Sequence, residues 1–285
     1  MEPAILGIDI AKRKFDVALL IADKMTMGKF DNTPKGFANL EGWLVKYGVE
    51  RVHACLEATG TYGDALAEHL YHAGHVVSLV NPARIKGFGQ SELSRTKTDR
   101  ADAQLIARFC GAMKPEPWQP LAPEVKELRA LVRRLDELKS MHTQETNRLE
   151  SADAVVRPSI QDMIDHIDVR ILQVTRQIRD HIDRHPDLRG KRDLLETIPG
   201  IGPGTSAMIL AEFGDVSRFQ DAGQMASFCG LTPRQRQSGT SVRGRSMLSK
   251  TGSSRIRHAL YMPALSAIRY NPVIRAFRAR LLANG

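Results

Sequence analysis

The sequence predicts an α/β protein whose second half is helical. Three observations carry this prediction. Over residues 1–118, short apolar runs alternate with segments of helical apolar spacing, the pattern of strands and helices stacked in layers. The stretch "KPEPWQP", residues 114–120, holds three prolines and reads as a boundary. Beyond it the apolar residues recur at intervals of three and four, which is helical.

The elements follow in order. "AILGIDIA" and "FDVALLIA" are apolar runs close enough to form a hairpin, and "TMGKFDN" is a third strand. "NTPKGFANLEGWLVKYG" begins with the capping residue Thr33 and Pro34. It places Phe37, Leu40, Trp43 and Leu44 at helical spacing, with Trp43, like Trp118, read as a packing residue. "VHACLEA" is a strand, "YGDALAEHLYHAG" a helix closed by Gly74, and "HVVSLVNP" a further strand. "RTKTDRADAQLIARF" opens another helix, with Leu105, Ile106 and Phe109 on its apolar side. A hairpin followed by alternating strand and helix predicts a mixed sheet.

From Leu121 to Glu150, the spacing of Leu128, Leu131, Leu135 and Leu138 is that of a short coiled coil. Ser159 to Ile182 is a second long helix, with isoleucines at 160, 164, 167, 171, 178 and 182. The two helices pair as a hairpin, pair across a dimer, or sit in a small bundle; periodicity leaves this open. A third, mainly helical region begins near Leu188 and contains a Gly/Ser/Arg-rich loop from Arg234 to Ser254. The expected domains are therefore 1–118, 119–187 and 188–285.

Bulk properties narrow the function. Hydrophobic residues make up 42% of the chain, enough to build a core and to exclude wholesale disorder. The net charge of +9 suggests an acidic polymer as partner, most simply nucleic acid; a merely soluble basic protein is the bland alternative. Cys55, Cys110 and Cys229 form no CxxC pair, which excludes a disulfide framework or a zinc finger and suggests reduced thiols in the cytoplasm. The N-terminus lacks the pattern of a signal peptide, and no run of 18 apolar residues exists to span a membrane. The nine histidines show no metal-binding spacing and read as surface or core residues.

Four acids need a reason. Asp9 lies inside an apolar strand, where an unpaired charge pays desolvation. Glu57 ends a strand before a Gly-bearing turn, the end at which α/β sheets bind ligands. Asp99 and Asp102 are three residues apart, on one helical face, and repel each other. Singly, each has an ordinary explanation; Asp99, for example, suits a helix N-cap. Together, four carboxylates suit two Mg²⁺ ions, with Mn²⁺ as the alternative. Such a pair, about 4 Å apart, activates an attacking oxygen and stabilises a leaving one at a phosphodiester.

Two further motifs point to nucleic acid. In "IPGIGPGTSAMIL", Gly200, Gly202 and Gly204 suit a tight turn between helices. Its N–H groups can hold phosphate, as in a helix-hairpin-helix, though an ordinary Gly-rich turn reads the same. "RQRQSGTSVRGRSMLSK" combines Arg234, Arg236, Arg243, Arg245 and Lys250 with serines at 238, 241, 246 and 249. It grips phosphate, or one serine is a nucleophile activated from elsewhere; the residues alone do not choose among the serines.

The motifs "GIDIAK", "LEATGTY", "NPARIKGFGQSE", "KTDRADA", "IPGIG", "GLTPR" and "SGTSVRG", in this order, resemble the DEDD transposases, the Piv/MooV-like recombinases of insertion sequence family one-ten. The resemblance runs over nearly the whole chain. It implies a RuvC-like, RNase H-fold N-terminal domain, a coiled-coil linker and a C-terminal transposase domain. It places the family's acids on Asp9, Glu57, Asp99 and Asp102, as Mg²⁺ ligands, and its catalytic serine on Ser238. It implies attack of that serine on donor and target double-stranded DNA, a covalent phosphoserine intermediate and strand exchange. It also implies a structured noncoding bridge RNA, a homodimer or tetramer, and a nucleoid-associated bacterial enzyme. On this reading Arg95 and Lys97 face the DNA or the RNA. Similar proteins usually continue into a further basic helical stretch where this chain ends at Gly285, which implies a weakened synapse. Two alternatives are a RuvC-like nuclease that uses water and a non-catalytic nucleic-acid-binding remnant.

Overall fold

A computed structural model describes residues 4–58, 60–92, 98–214, 216–238 and 242–283; the side chains of residues 218, 236–238, 242, 243 and 245 lie outside the described residues. The chain divides into two compact units, residues 1–120 and 121–285.

The first unit is built on a five-stranded sheet of β1 (Ala4–Ile10), β2 (Lys14–Ile21), β3 (Lys24–Asp31), β4 (Val52–Glu57) and β5 (Val76–Val80), in the order β3-β2-β1-β4-β5. β2 is antiparallel to both β1 and β3, while β4 is parallel to β1 and β5. The mixed sheet expected from the sequence is therefore present. Side chains alternate across a strand, so each strand serves two layers. On one face Leu6, Ile8, Phe15, Val17, Leu19, Val52 and Leu56 form a core with Phe37, Leu40 and Leu44 of α1 (Pro34–Lys46) and Leu66 and Leu70 of α2 (Asp64–His72). Each of these large side chains contributes about 1.5–3 kcal/mol on burial. Trp43 and Trp118 pack against this core.

The other face carries α3 (Pro82–Ser91) and α4 (Asp99–Met113), with Ile85, Ile106, Phe109 and Cys110 buried against Cys55 and Val80. The sequence reading did not anticipate α3, because two glycines dilute its helical signal. Asn81 starts it by accepting a hydrogen bond from Ala83 N–H at 2.8 Å, with Pro82 in its first turn. All three cysteines are free and buried.

In the second unit α5 (Pro123–Glu150) and α6 (Arg157–Arg184) form a hairpin within one chain. Leu128, Val132 and Leu135 meet Ile178 and Ile182. At the open end, His181 Nε2 lies 2.8 Å from the Glu124 carbonyl. The same core takes in Leu188 of α7 (Pro186–Glu196) and Ala207, Met208, Leu210 and Ala211 of α8 (Pro203–Phe213). Then follow α9 (Ala222–Phe228), an antiparallel hairpin of β6 (Pro233–Ser238) and β7 (Val242–Leu248), α10 (Ser254–Tyr270) and α11 (Pro272–Ala283).

The hairpin corrects the expectation of a loop from Arg234 to Ser254. Its strands are rich in Arg, Gln and Ser, so they lack the polar–apolar alternation that marks a half-buried strand. Among the described residues, no helix is long and apolar enough to cross a membrane.

A candidate acidic site on the carboxyl end of the sheet

The site begins with a glycine. Gly7 lies on the β1 face opposite Leu6 and Ile8, beneath α4. A Cβ there would stand 2.3 Å from both the Ala103 carbonyl oxygen and the Ala107 amide nitrogen. The helix therefore rests on the strand backbone to backbone, helped by Ala18, Ala103 and Ala107, all fully buried. Farther along α4, a Cβ on Gly111 would meet Ile5 at 3.0 Å. Since α4 advances as β1 recedes, the N-terminal turn of α4 lies toward Asp9.

Strand alternation brings the other acids to that end. Asp9 shares the face of Gly7 and is the next residue on it toward the carboxyl end. Glu57 ends β4 on the face of Cys55, one step beyond the Ile8–Leu56 register pair. Asp99 and Asp102 occupy the first turn of α4, where acids complement the helix dipole. Asp99 is not the cap, as the sequence suggested. Thr98 is, its Oγ1 accepting from Ala101 N–H at 3.1 Å, which leaves Asp99 the first helical residue.

The convergence is visible in Asp9. Its pKa is raised from 3.8 to about 6, first by burial and then by the charges of Asp102, Asp99, Glu57 and Asp16. Asp16 is a member of the cluster that the sequence reading missed. It is the Cα register partner of Asp9 on β2 and lies on the face of Ala18. The signal was available, because Asp16, like Asp9, is a charge within an apolar strand. Lys29, across from Asp16 on β3, pairs with it at 2.8 Å. That hydrogen bond raises the lysine pKa, and Asp99 and Asp9 add to the shift. Lys12, Arg13 and Arg100 stand exposed nearby in sequence, on the β1–β2 turn and on α4.

By donor type and accumulated charge, these all-oxygen groups fit a hard divalent cation. Among the described residues, however, no three His, Cys, Asp or Glu side chains close into a cluster that could hold a metal ion. The fold brings the acids to one end of the sheet without closing them into such a cluster.

The remaining expected residues fall elsewhere. Arg95 and Lys97 lie outside the described residues. Ser238 ends β6, where its backbone pairs with Val242; its side chain and those of Arg236, Arg243 and Arg245 lie outside the described residues. Arg234 and Lys250 are exposed. Gly202 is the N-cap residue of α8, and Gly204 lies in its first turn; a Cβ on either would meet open space. Gly200 differs. Its φ is +106°, and a Cβ would come within 2.8 Å of the Pro263 carbonyl on α10, so this glycine permits a turn and a close helix approach.

Comparison with known proteins gives the family. A family profile of IS110-type DEDD transposases, described as "Transposase", matches residues 6–152. A second, "Transposase IS116/IS110/IS902 family", matches residues 192–279. The chain is 37% identical to the pilin gene-inverting protein of Moraxella bovis, over all of this chain and 89% of that protein. The corresponding protein of Moraxella lacunata is 36% identical over the same shares. The transposase for insertion sequence element IS1111A of Coxiella burnetii is 23% identical, over 93% of this chain and 78% of its own. The chain belongs to the IS110 family of transposases.

Proposed function

We propose that this transposase cuts and rejoins double-stranded DNA with Asp9, Glu57, Asp99 and Asp102 as metal-binding carboxylates and Ser238 as nucleophile. The gathering of Asp9, Glu57 and the first turn of α4 at one end of the sheet carries the reading of the acids, and the raised pKa of Asp9 accords with it. A fold that stacks like charges on a half-buried carboxyl opposes its own stability, and a bound cation would repay that cost. The strand order β3-β2-β1-β4-β5, with β2 antiparallel, supports an RNase H-like description of the first unit. When bound, Mg²⁺ or Mn²⁺ would lower the charge of a phosphodiester and favour the ionised form of an attacking oxygen.

The protein's residues supply the rest. The Ser238 oxygen forms a bond to phosphorus as the bond from phosphorus to the leaving strand end breaks, and that end takes up a proton. Attack by a second strand end reverses the step and returns the serine. Arg234, Arg236, Arg243, Arg245 and Lys250 would hold flanking phosphates, as would Arg95 and Lys97, and the turn of Gly200, Gly202 and Gly204 offers backbone N–H groups for the same purpose.

The Moraxella relatives are named for gene inversion, which supports recombination between two sites rather than simple nicking. A homodimer or tetramer, guided by a structured noncoding bridge RNA, completes the proposal. The decisive test is Ser238→Ala on a DNA substrate cut by the wild type. The reading expects loss of both strand breakage and the covalent protein–DNA adduct. Continued cleavage by the variant would assign the activity to water. Sequencing the RNA that co-purifies with the protein tests guidance, and random cellular RNA would count against it.

A further inference from the structure

Asp9, the last residue but one of β1, and Glu57, the last residue of β4, lie on neighbouring parallel strands, and each strand is followed by an irregular connection. Pairing of β1 with β4 ends at Ile8–Leu56; beyond it Asp9 is paired outward with Asp16 and Glu57 with Val80, and a side chain joins the two connections to each other. Asn32 is placed to do so. Its Nδ2 donates to the Ala11 carbonyl at 3.1 Å, in the turn two residues beyond Asp9. The same Nδ2 donates to the Tyr62 carbonyl at 3.1 Å, in the loop that follows Glu57. Its backbone N–H donates to the Arg13 carbonyl at 2.8 Å, seating the residue on the β1–β2 turn.

The chemistry of the contact selects the residue. Both side-chain partners are carbonyl oxygens, so the group between them must bring two N–H bonds, and a carboxylate brings none. Asn32 itself sits at the junction of β3 and α1, and the Thr33 cap at the start of α1 limits its freedom to move.

We propose that Asn32 is a positioning residue of the acidic site: it ties the turn after Asp9 to the loop after Glu57 and so sets the spacing of those carboxylates. The inference rests on the reading of these acids as metal-binding. Outer-shell groups bonded directly to a metal ligand change affinity by about 10–100-fold when removed; Asn32 bonds the backbone beyond the ligands, which places it at the low end of that range.

The test is Mn²⁺ titration of the full-length protein by calorimetry, with thermal melting of each variant to establish folding. Asn32→Ala should weaken Mn²⁺ binding about tenfold, and Asn32→Ser, which keeps one donor, by less. Where the alanine variant does not fold, the serine variant is compared with wild type on its own. Asp9→Asn is the control for the site. Loss of Mn²⁺ binding in Asp9→Asn, with wild-type affinity in folded Asn32 variants, would overturn the positioning role and leave the metal site standing. Wild-type binding in Asp9→Asn would overturn the site itself, and this inference with it.

Discussion

Replacing Gly7 by alanine tests the seam on which the acidic site is built. The new Cβ would lie 2.3 Å from the Ala103 oxygen and the Ala107 nitrogen, and 2.7 Å from Ala107 Cα. Ordinary contacts to such atoms begin near 3.5 Å, so α4 must retreat by roughly 1 Å. All three obstacles are backbone atoms, so no side-chain rotation relieves the clash. Overpacking of this kind costs about 1–3 kcal/mol, or roughly 4–12 °C in Tm for a unit of this size. The retreat also carries Asp99 and Asp102 away from Asp9, and a 1 Å misplacement at a reacting centre costs on the order of 100-fold in rate. Thermal melting and metal-dependent DNA cleavage should therefore both fall. Gly42→Ala on α1, where a Cβ meets nothing within 4 Å, is the matched control and should be neutral or slightly stabilising. A Gly7→Ala protein that melts and cleaves like wild type would refute the account of how α4 positions its acids.

Other perturbations separate the remaining parts of the structure. Asp102→Asn should abolish cleavage while leaving the melting temperature near wild type, and an active variant would remove Asp102 from the site. The folded protein holds the Asp9 pKa at about 6, above its ordinary 3.8. Folding therefore favours the protonated form, and the metal-free protein loses stability as pH rises from about 4 to about 6. Asp9→Asn should flatten that part of the pH–Tm profile and raise the metal-free Tm above pH 6; an unchanged profile would show that Asp9 is not strained. Glu41 Oε2 lies 3.1 Å from the buried His75 Nε2, whose Nδ1 accepts from Val52 N–H, so Glu41→Ala strands a buried donor and should cost about 1–3 kcal/mol in chemical denaturation. Leu128→Ala in the second unit removes a fully buried side chain and should cost about 2–5 kcal/mol.

Much of this was legible in the sequence because desolvation leaves a local trace. Asp9 stands out inside "LGIDIA", Glu57 at the end of "VHACLEA", and the strands and helices of the first unit follow from periodicity. Asp16 carries the same trace in "FDVALLIA" but becomes a neighbour of Asp9 only through the hairpin register. The pairing of α5 with α6 in one chain is invisible to periodicity, since a dimer would use the same apolar stripe. The β6–β7 hairpin escaped because backbone pairing in a polar strand leaves no pattern of side chains. Asn32 escaped because its partners are two main-chain carbonyls, 21 and 30 residues away, and any residue type could have supplied them.

The close seating of α4 on β1 bears on how the family can change length. Each residue inserted into or deleted from an α-helix turns everything beyond it by about 100°. Between Asp99 and Gly111 such a change would swing either the two aspartates or the small-residue stripe off the sheet. Length variation should therefore be confined to the exposed connections, and residues 99–111 should align without gaps in every relative that cuts DNA.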